Sequence, residues 1–171
     1  MVEPELTAGM VEFCLFHVLR FHRLMPQFET NRIARHWEEL TQAPASEITV
    51  GVMGLGVLGM ALARQLTARR YQVVGYRRSP GDIAGVEVFH GEEQLEAFMR
   101  RSEMLVALMP STRETRGLVN RKTLSWLPSG SYFINAGRGD LVNEQDLVLS
   151  LIHISEPTRQ EAISYAVFCL K

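Results

Sequence analysis

The chain has 171 residues, 46% of them hydrophobic and 22% charged, which is the balance of one folded domain rather than of a disordered chain. A formal net charge of −1, and no apolar run near the roughly 20 residues that span a bilayer, argue against nucleic-acid and membrane binding. Cys14 and Cys169 show no metal-ligand spacing and the N-terminus resembles no secretion signal, so we expect a cytoplasmic protein without a metal site.

The first predicted element is a helix over residues 8–25. Apolar residues recur at alternating steps of three and four and line one face: Val11, Cys14, Val18, Phe21 and Met25. The rest of this stretch is largely apolar too, so the helix needs partners on more than one side. Pro26 is predicted to end it and to begin a second helix that runs to about Trp37. We expect residues 1–40 to form a helical segment and 41–47 to be a linker.

From residue 48 the pattern alternates between strands and helices. The predicted strands are 48–53, 71–76, 86–89, 104–109 and 131–134. The predicted helices are 58–68, 92–101 and 116–127, and Asn143 is expected to cap a further one. Strands separated by single helices indicate a parallel sheet with helices on both faces. The prediction is an α/β, doubly wound domain over residues 48–148.

The turn after the first predicted strand contains Gly54, Gly56 and Gly59 in a G-x-G-x-x-G pattern. This pattern is weak alone, but here it follows a β-rich run and opens an amphipathic helix, as dinucleotide binding requires. Gly54 permits the tight turn, Gly56 admits a pyrophosphate, and Gly59 lets the helix pack closely. The backbone N–H groups around Val57 and Leu58 are then expected to face the diphosphate. The alternative is a glycine turn without a ligand.

The end of the second predicted strand indicates which dinucleotide is preferred. NAD-dependent enzymes place an acidic residue there for the ribose hydroxyls, whereas this chain has Arg77, Arg78 and Ser79. Two guanidinium groups suit a 2′-phosphate and offer no acceptor to a 2′-hydroxyl. NADP(H) is therefore the predicted cofactor and NAD(H) the second candidate. A solvated basic turn is the alternative.

Three separate stretches resemble one enzyme family. Residues 133–144 read FINAGRGDLVNE and closely resemble the signature of the D-2-hydroxyacid dehydrogenases. Residues 108–118 resemble the family's segment after the fourth strand. Residues 2–23 resemble its glyoxylate/hydroxypyruvate reductase branch. The three stretches occur in the family's order, which makes the resemblance specific.

The resemblance implies a Rossmann domain that binds NADPH and a small 2-oxo acid, with glyoxylate or hydroxypyruvate expected. It assigns Arg138 to the substrate's carboxylate and carbonyl, a geometry that a planar guanidinium suits. It also implies that the N-terminal helices pack in a homodimer interface. The further residues that it places at the cofactor are Met109, Pro110, Thr115, Ala136 and Gly137.

Two rival functions share part of this pattern. A β-hydroxyacid dehydrogenase has the same glycine turn and basic strand end, but it leaves the 137–140 segment unexplained. A dinucleotide-binding module without a reaction is the second rival, because a fold alone does not fix an activity.

The chain departs from the family in what it lacks. Relatives begin with a substrate domain, and they complete catalysis with a Glu and a His beyond a further helix and strand. His153 and Glu156 follow Arg138 by 15 and 18 residues. That is too short for a helix of about 11 residues, a strand of about 5 and their connections. We therefore reject both and expect this chain to be inactive by itself.

The segment 149–171 is interpreted as a non-native tail. Residues 149–159 and 163–171 resemble the two ends of a translated sequencing-library adapter, and 160–162 fit an index between them. The alternative is a natural C-terminal strand. The Val, Ile, Tyr and Phe content of the tail predicts either an added strand at the sheet edge or a loose tail.

Overall fold

A six-stranded sheet forms the centre of the computed structural model, which describes residues 4–150 and 166–169. Its order is β3-β2-β1-β4-β5-β6; the first five strands are parallel and β6 is antiparallel to β5. The strands are β1 (Thr49–Met53), β2 (Gln72–Arg77), β3 (Glu87–His90), β4 (Met104–Ala107), β5 (Tyr132–Asn135) and β6 (Ala166–Cys169). The strand order reverses between β1 and β4, and this reversal opens a crevice at the carboxyl edge of the sheet.

Helices cover both faces of the sheet, as the doubly wound prediction requires. They are α1 (Pro4–His22), α2 (Met25–Ile33), α3 (Val57–Ala68), α4 (Gly91–Arg101), α5 (Arg121–Leu124) and α6 (Glu144–Ser150). One core packs α1 and α3 against the first face, around Leu62 and Val106. The other packs α4 to α6 against the second face, around Phe98 and Leu105. None of the described helices is both long enough and apolar enough to cross a bilayer.

Burial explains why the central strands read as continuous apolar runs. All residues of β1 and β4 are buried, since parallel strands with helices on both faces have no solvent side. Two glycines in the strands lie under neighbouring side chains. A Cβ added to Gly75 would be 2.4 Å from the Leu55 Cδ1, and one added to Gly51 would be 2.0 Å from the Ser102 Oγ.

The N-terminal helices differ from the prediction at their ends. Helix α1 spans Pro4–His22 rather than 8–25, and Leu24, in the left-handed region at φ 55°, separates it from α2. Helix α2 ends at Ile33, before the predicted end at Trp37, because Arg35 turns the chain with φ 53°. Helix α1 packs on α2, α3 and β5, which accounts for apolar residues on more than one side.

The helix predicted over 116–127 is wrong at both ends. Only Arg121–Leu124 is helical, because Gly117 has φ +62° and Asn120 starts the helix as its N-cap. The Asn120 side chain accepts from the Lys122 and Thr123 N–H groups, and Thr123 Oγ1 accepts from the Asn120 N–H at 2.9 Å. Such a capping box fixes a helix start.

The predictions for the last part of the chain concern the start of helix α6 and the segment that follows it. Asn143 caps α6 as predicted, since its Oδ1 accepts from the Asp146 N–H at 3.3 Å. Strand β6 lies at the sheet edge beside β5, and this is one of the two arrangements predicted for the tail. His153 and Glu156 fall outside the described residues.

His17 on α1 gives the fold a predicted pH dependence. Its ring lies 4.5 Å from the Phe13 ring and 5.0 Å from the Phe16 ring, and its buried Nδ1 has no hydrogen-bond partner among the described residues. Burial, with a smaller contribution from Arg20, lowers the pKa of His17. Below about pH 6.5 the unfolded chain therefore binds a proton at His17 that the folded chain does not bind. The free energy of unfolding accordingly decreases as the pH is lowered through this range.

We therefore expect His17→Leu to lose less stability than the unmodified chain between about pH 7.5 and about pH 5. Urea unfolding at several pH values measures this difference. His36→Leu, at an exposed position, is the control and should keep the original pH dependence. A His17→Leu profile parallel to that of the unmodified chain would contradict the prediction.

Candidate dinucleotide-binding site

The predicted site residues all lie at one edge of the sheet. They follow the carboxyl ends of β1, β2, β4 and β5, which meet at this edge because these strands are parallel. Four loops supply them: 54–59 after β1, 77–79 from the end of β2, 108–117 after β4 and 136–140 after β5. The fold thus brings together residues that are up to 84 positions apart in the sequence, between Gly54 and Arg138.

The glycine turn after β1 is tight and crowded at two of its three glycines. Gly54 has φ +109°, and a Cβ there would lie 3.0 Å from the Met109 N in the loop after β4. A Cβ on Gly59 would lie 1.9 Å from the Gly54 carbonyl oxygen. Gly59 therefore allows α3 to start directly against the turn, with Val52 Cγ1 as the next contact at 3.4 Å.

Gly56 differs from its two neighbours because it faces open space. A Cβ added there would have no protein atom within 4 Å, and no side chain caps the N-terminus of α3. The N–H groups of the first helical turn have no partner within a helix. Val57 is 58% exposed and Leu58 half-buried at this end. An uncapped helix start beside an open backbone is suited to an anion such as a diphosphate.

The basic turn lies where β2 ends, two strands' width from β4. Arg77 is the last residue of β2 and is half-buried, with its Nη1 lying 2.8 Å from the position of a Cβ on Gly81. Arg78 and Ser79 are exposed. Arg78 Nη1 lies 3.8 Å from a carboxylate oxygen of Glu114, in the loop after β4. Two cations thus flank the crevice on its β2 side.

The loop after β4 is held closed by Thr115. Its hydroxyl donates to the Pro110 carbonyl at 2.7 Å and accepts from the Thr112 N–H at 2.8 Å, and the residue is buried. Pro110 is exposed and Met109 half-buried. Thr115 therefore orders the loop through its hydroxyl, and the expected contact of this residue with a cofactor stays a prediction.

The turn after β5 carries Arg138, which is exposed. The buried Asn135 shapes this turn: its Nδ2 donates to the Arg138 carbonyl at 3.2 Å, and its Oδ1 accepts from the Gly137 N–H at 3.1 Å. Ala136 is buried, and its N–H donates to the Ala107 carbonyl. A Cβ on Gly137 would lie 2.9 Å from the Met109 carbonyl oxygen, so the two loops are in close contact.

Asp140 connects the loop after β4 with the turn after β5, a role that the signature over residues 133–144 did not indicate. Its Oδ2 accepts from the Ser111 hydroxyl and from the Arg116 Nε at 3.2 Å, and its carbonyl accepts from the Gly117 N–H. The carboxylate therefore ties the loop after β4 to the turn that carries Arg138. Sequence reasoning placed Asn135 and Asp140 in the signature without a role, because their partners are remote in sequence.

The combined charge of the site favours an elongated anion. Three of the predicted site residues at the carboxyl edge are arginines, beside the uncapped start of α3: Arg77 and Arg78 on the β2 side and Arg138 on the β5 side. The described residues contain no cluster of three or more side chains of the metal-binding types. The arrangement suits a ligand with a central diphosphate, a further phosphate at one end and a small carboxylate beyond the other.

Comparison with known proteins gives a consistent set of relatives. Residues 15–154 match the family model described as D-isomer specific 2-hydroxyacid dehydrogenase, NAD binding domain. The chain is 37% identical over 142 residues to glyoxylate/hydroxypyruvate reductase A of Serratia proteamaculans. The matched region covers 83% of this chain and 45% of that protein, so the chain spans less than half of its relative.

Two solved structures share the fold closely. A D-isomer specific 2-hydroxyacid dehydrogenase of Xanthobacter autotrophicus, in complex with NADPH and MES, is 37% identical with a TM-score of 0.85 over 94% of this chain and 71% of that chain. An NADPH-dependent glyoxylate/hydroxypyruvate reductase of Sinorhizobium meliloti, in complex with NADP and sulfate, is 33% identical with a TM-score of 0.83. That match covers 95% of this chain and 56% of the other.

Proposed function

Since the chain belongs to the D-isomer specific 2-hydroxyacid dehydrogenase family and matches that family's NAD-binding domain, we propose that it binds NADP(H). The bound NADP(H) serves the reduction of a small 2-oxo acid. The observation that carries this proposal is the juxtaposition of the uncapped start of α3 with a basic turn at the end of β2. Glyoxylate or hydroxypyruvate is the proposed substrate, in keeping with the names of the relatives.

The residues of the edge fit a dinucleotide along its length. The N–H groups of Val57 and Leu58 hold the diphosphate, and Gly56 leaves the space through which it approaches. Arg77, Arg78 and Ser79 surround the adenosine 2′-phosphate at the end of β2. Structures of two relatives contain NADPH or NADP, which supports this preference over NAD(H).

The loops after β4 and β5 form the remaining part of the cofactor site. Met109, Pro110, Ala136 and Gly137 border the dinucleotide with their backbones, and Thr115 keeps the first of these loops in place. When bound, the nicotinamide supplies a hydride to the 2-oxo carbon. The residues of the chain orient the dinucleotide and the 2-oxo acid relative to each other.

Arg138 binds the carboxylate and the carbonyl of the 2-oxo acid with its planar guanidinium. Asn135 fixes the turn on which Arg138 stands, and Asp140 fixes the neighbouring loop. Reduction also needs a proton donor, and neither described loop, 108–120 or 136–143, contains a histidine. We therefore propose that the chain by itself binds its ligands without turnover.

Binding titrations test this function directly. The nicotinamide fluorescence of NADPH and of NADH is followed as the 171-residue chain is added, and NADPH should bind more tightly. With glyoxylate or hydroxypyruvate added, NADPH oxidation should stay at background, because a general acid supplies roughly 10²–10⁴-fold of the rate. Equal affinities would contradict the NADP preference, and rapid oxidation would contradict the proposed inactivity.

A second titration addresses Arg138. Glyoxylate should change the fluorescence of the NADPH complex through binding alone, and Arg138→Gln should abolish that change while NADPH still binds. Arg113→Gln, an exposed arginine in the loop after β4, is the matched control. An unaltered response in Arg138→Gln would remove this residue from the substrate site.

We propose that the protein forms a homodimer through its N-terminal helices. Helices α1 and α2 leave several large apolar side chains exposed: Leu6, Phe16, Leu19, Met25 and Phe28. An apolar surface of this kind is typical of an interface rather than of a monomer's free face. Light scattering after size-exclusion chromatography should give a dimer mass for the chain and a monomer mass for Phe16→Glu. A monomer in both cases would contradict this assignment.

The proposed organisation is a helical segment over 1–40, a linker over 41–47, the NAD(P)-binding domain over 48–148 and a non-native tail over 149–171. The tail proposal rests on its resemblance to translated adapter. The coding DNA tests it, because codons 149–171 should then spell adapter sequence on both sides of the index. Scattered synonymous differences from adapter would show that the tail is biological.

A further inference from the structure

An ion pair crosses the carboxyl edge between the basic turn and the loop after β4. Arg78 Nη1 lies 3.8 Å from Glu114 Oε2, with side-chain exposures of 84% and 71%. Among the ion pairs of the described residues, this is the one that connects the basic turn to another loop. It therefore places a carboxylate beside one of the two arginines that face the 2′-phosphate in the proposed function.

The carboxylate of Glu114 is held in position by its own loop. Thr112 Oγ1 donates to Glu114 Oε2 at 3.0 Å, so the oxygen that faces Arg78 is also the one that is hydrogen-bonded. The Thr112 N–H donates in turn to Thr115 Oγ1, which is anchored on the Pro110 carbonyl. This chain of hydrogen bonds fixes a negative charge near the basic turn.

We infer that Glu114 is a specificity-determining residue that competes with the 2′-phosphate of NADP(H) for Arg78. This inference rests on the proposed function. A long and exposed ion pair is weak, and a phosphate monoester carries a charge of about −1.5 to −2 at neutral pH. The 2′-phosphate therefore displaces the Glu114 carboxylate from Arg78. Its binding is nevertheless weakened, because the ion pair must first be broken and because the two negative groups repel each other.

NADH lacks the 2′-phosphate and does not compete for Arg78. Glu114 thus weakens the binding of NADPH but not that of NADH. The ratio of the NADPH affinity to the NADH affinity is therefore smaller than it would be without Glu114. Replacing Glu114 by glutamine removes the negative charge that attracts Arg78 and repels the phosphate, and it leaves a neutral side chain of the same size in the loop.

The experiment compares the NADPH and NADH dissociation constants of the unmodified chain and of Glu114→Gln by fluorescence titration at low salt. We expect Glu114→Gln to bind NADPH about three- to five-fold more tightly and NADH within about two-fold of the original affinity. The NADPH gain should shrink at high salt, since exposed charges are screened. Glu96→Gln, which removes an exposed carboxylate from the Arg100 ion pair on α4, should change neither constant.

A second background tests whether Arg78 carries the effect. When Glu114→Gln is added to the Arg78→Gln variant, the NADPH affinity should increase by less than about two-fold. The inference is overturned if Glu114→Gln leaves NADPH binding unchanged, tightens both dinucleotides equally, weakens NADH or keeps its full effect without Arg78. An unmodified chain that shows no NADPH preference overturns the proposed function and this inference with it. A preference that Glu114→Gln leaves unchanged overturns the inference alone.

Discussion

Replacing Gly59 by alanine is expected to destabilise the domain and to abolish dinucleotide binding together. The new Cβ would lie 1.9 Å from the Gly54 carbonyl oxygen and 2.9 Å from its carbon. Both are backbone atoms of a turn already fixed by φ +109° at Gly54, so α3 must move away from β1. Overpacking of this kind costs about 1–3 kcal/mol, and the gain in helix propensity, at most about 1 kcal/mol, does not offset it.

Gly56→Ala is the matched control, because it makes the same chemical change three residues earlier in open space. It should leave the free energy of unfolding within about 0.5 kcal/mol of the original. NADPH binding should still fall at least about ten-fold, since the methyl group occupies the approach of the diphosphate. Urea unfolding and NADPH titration of the two variants separate folding from binding. Original stability and affinity in Gly59→Ala would contradict the packing described for α3.

Arg77→Asp is expected to reverse the preference between the two dinucleotides. It removes a charge-assisted contact to the 2′-phosphate, a loss of about 1.5–3 kcal/mol, or roughly 10- to 150-fold in the NADPH dissociation constant. It also supplies the carboxylate that binds ribose hydroxyls at this strand end in NAD-dependent proteins. NADH binding should therefore stay constant or become tighter.

The comparison for Arg77→Asp is Arg69→Asp, which has the same change of charge at the far end of α3. Arg69 is exposed and bonds to Gln65 within its own helix, so its replacement should affect both dinucleotides alike and only weakly. Titration of both cofactors at one ionic strength measures the ratio of affinities. A ratio that moves equally in the two variants would indicate a general electrostatic effect rather than a contact of Arg77.

The strands, the glycine turn and the family could be predicted because each depends on local sequence. Buried parallel strands produce continuous apolar runs, as in β1 and β4, and the G-x-G-x-x-G spacing follows from the geometry of one turn. The family assignment is confirmed by the match over residues 15–154. It also decides against the β-hydroxyacid dehydrogenase rival, which left the 137–140 segment unexplained.

The loops were harder to predict because their order comes from remote partners. The helix predicted over 116–127 fails at Gly117 and Asn120, where turn and cap geometry override a helix-like pattern. The links from Asp140 to Arg116 and from Glu114 to Arg78 join residues 24 and 36 positions apart. Periodicity carries no information about such pairs, so the candidate site was predicted as a set of residues without its internal connections.

The glycines beneath Leu55 and Ser102 limit how related sequences can diverge. Any side chain at position 75 would collide with Leu55, and any at position 51 with Ser102, at 2.4 Å and 2.0 Å. At position 75 the colliding atoms are the end of the Leu55 side chain, which a change of rotamer can move away. At position 51 the Ser102 Cβ would lie 2.7 Å away and cannot move without its backbone, so a larger residue at 51 requires that position 102 has already lost its Cβ and become glycine. Among homologous sequences, positions 51 and 102 should therefore vary jointly, with glycine at 102 wherever 51 carries a side chain, whereas positions 75 and 55 should vary more independently.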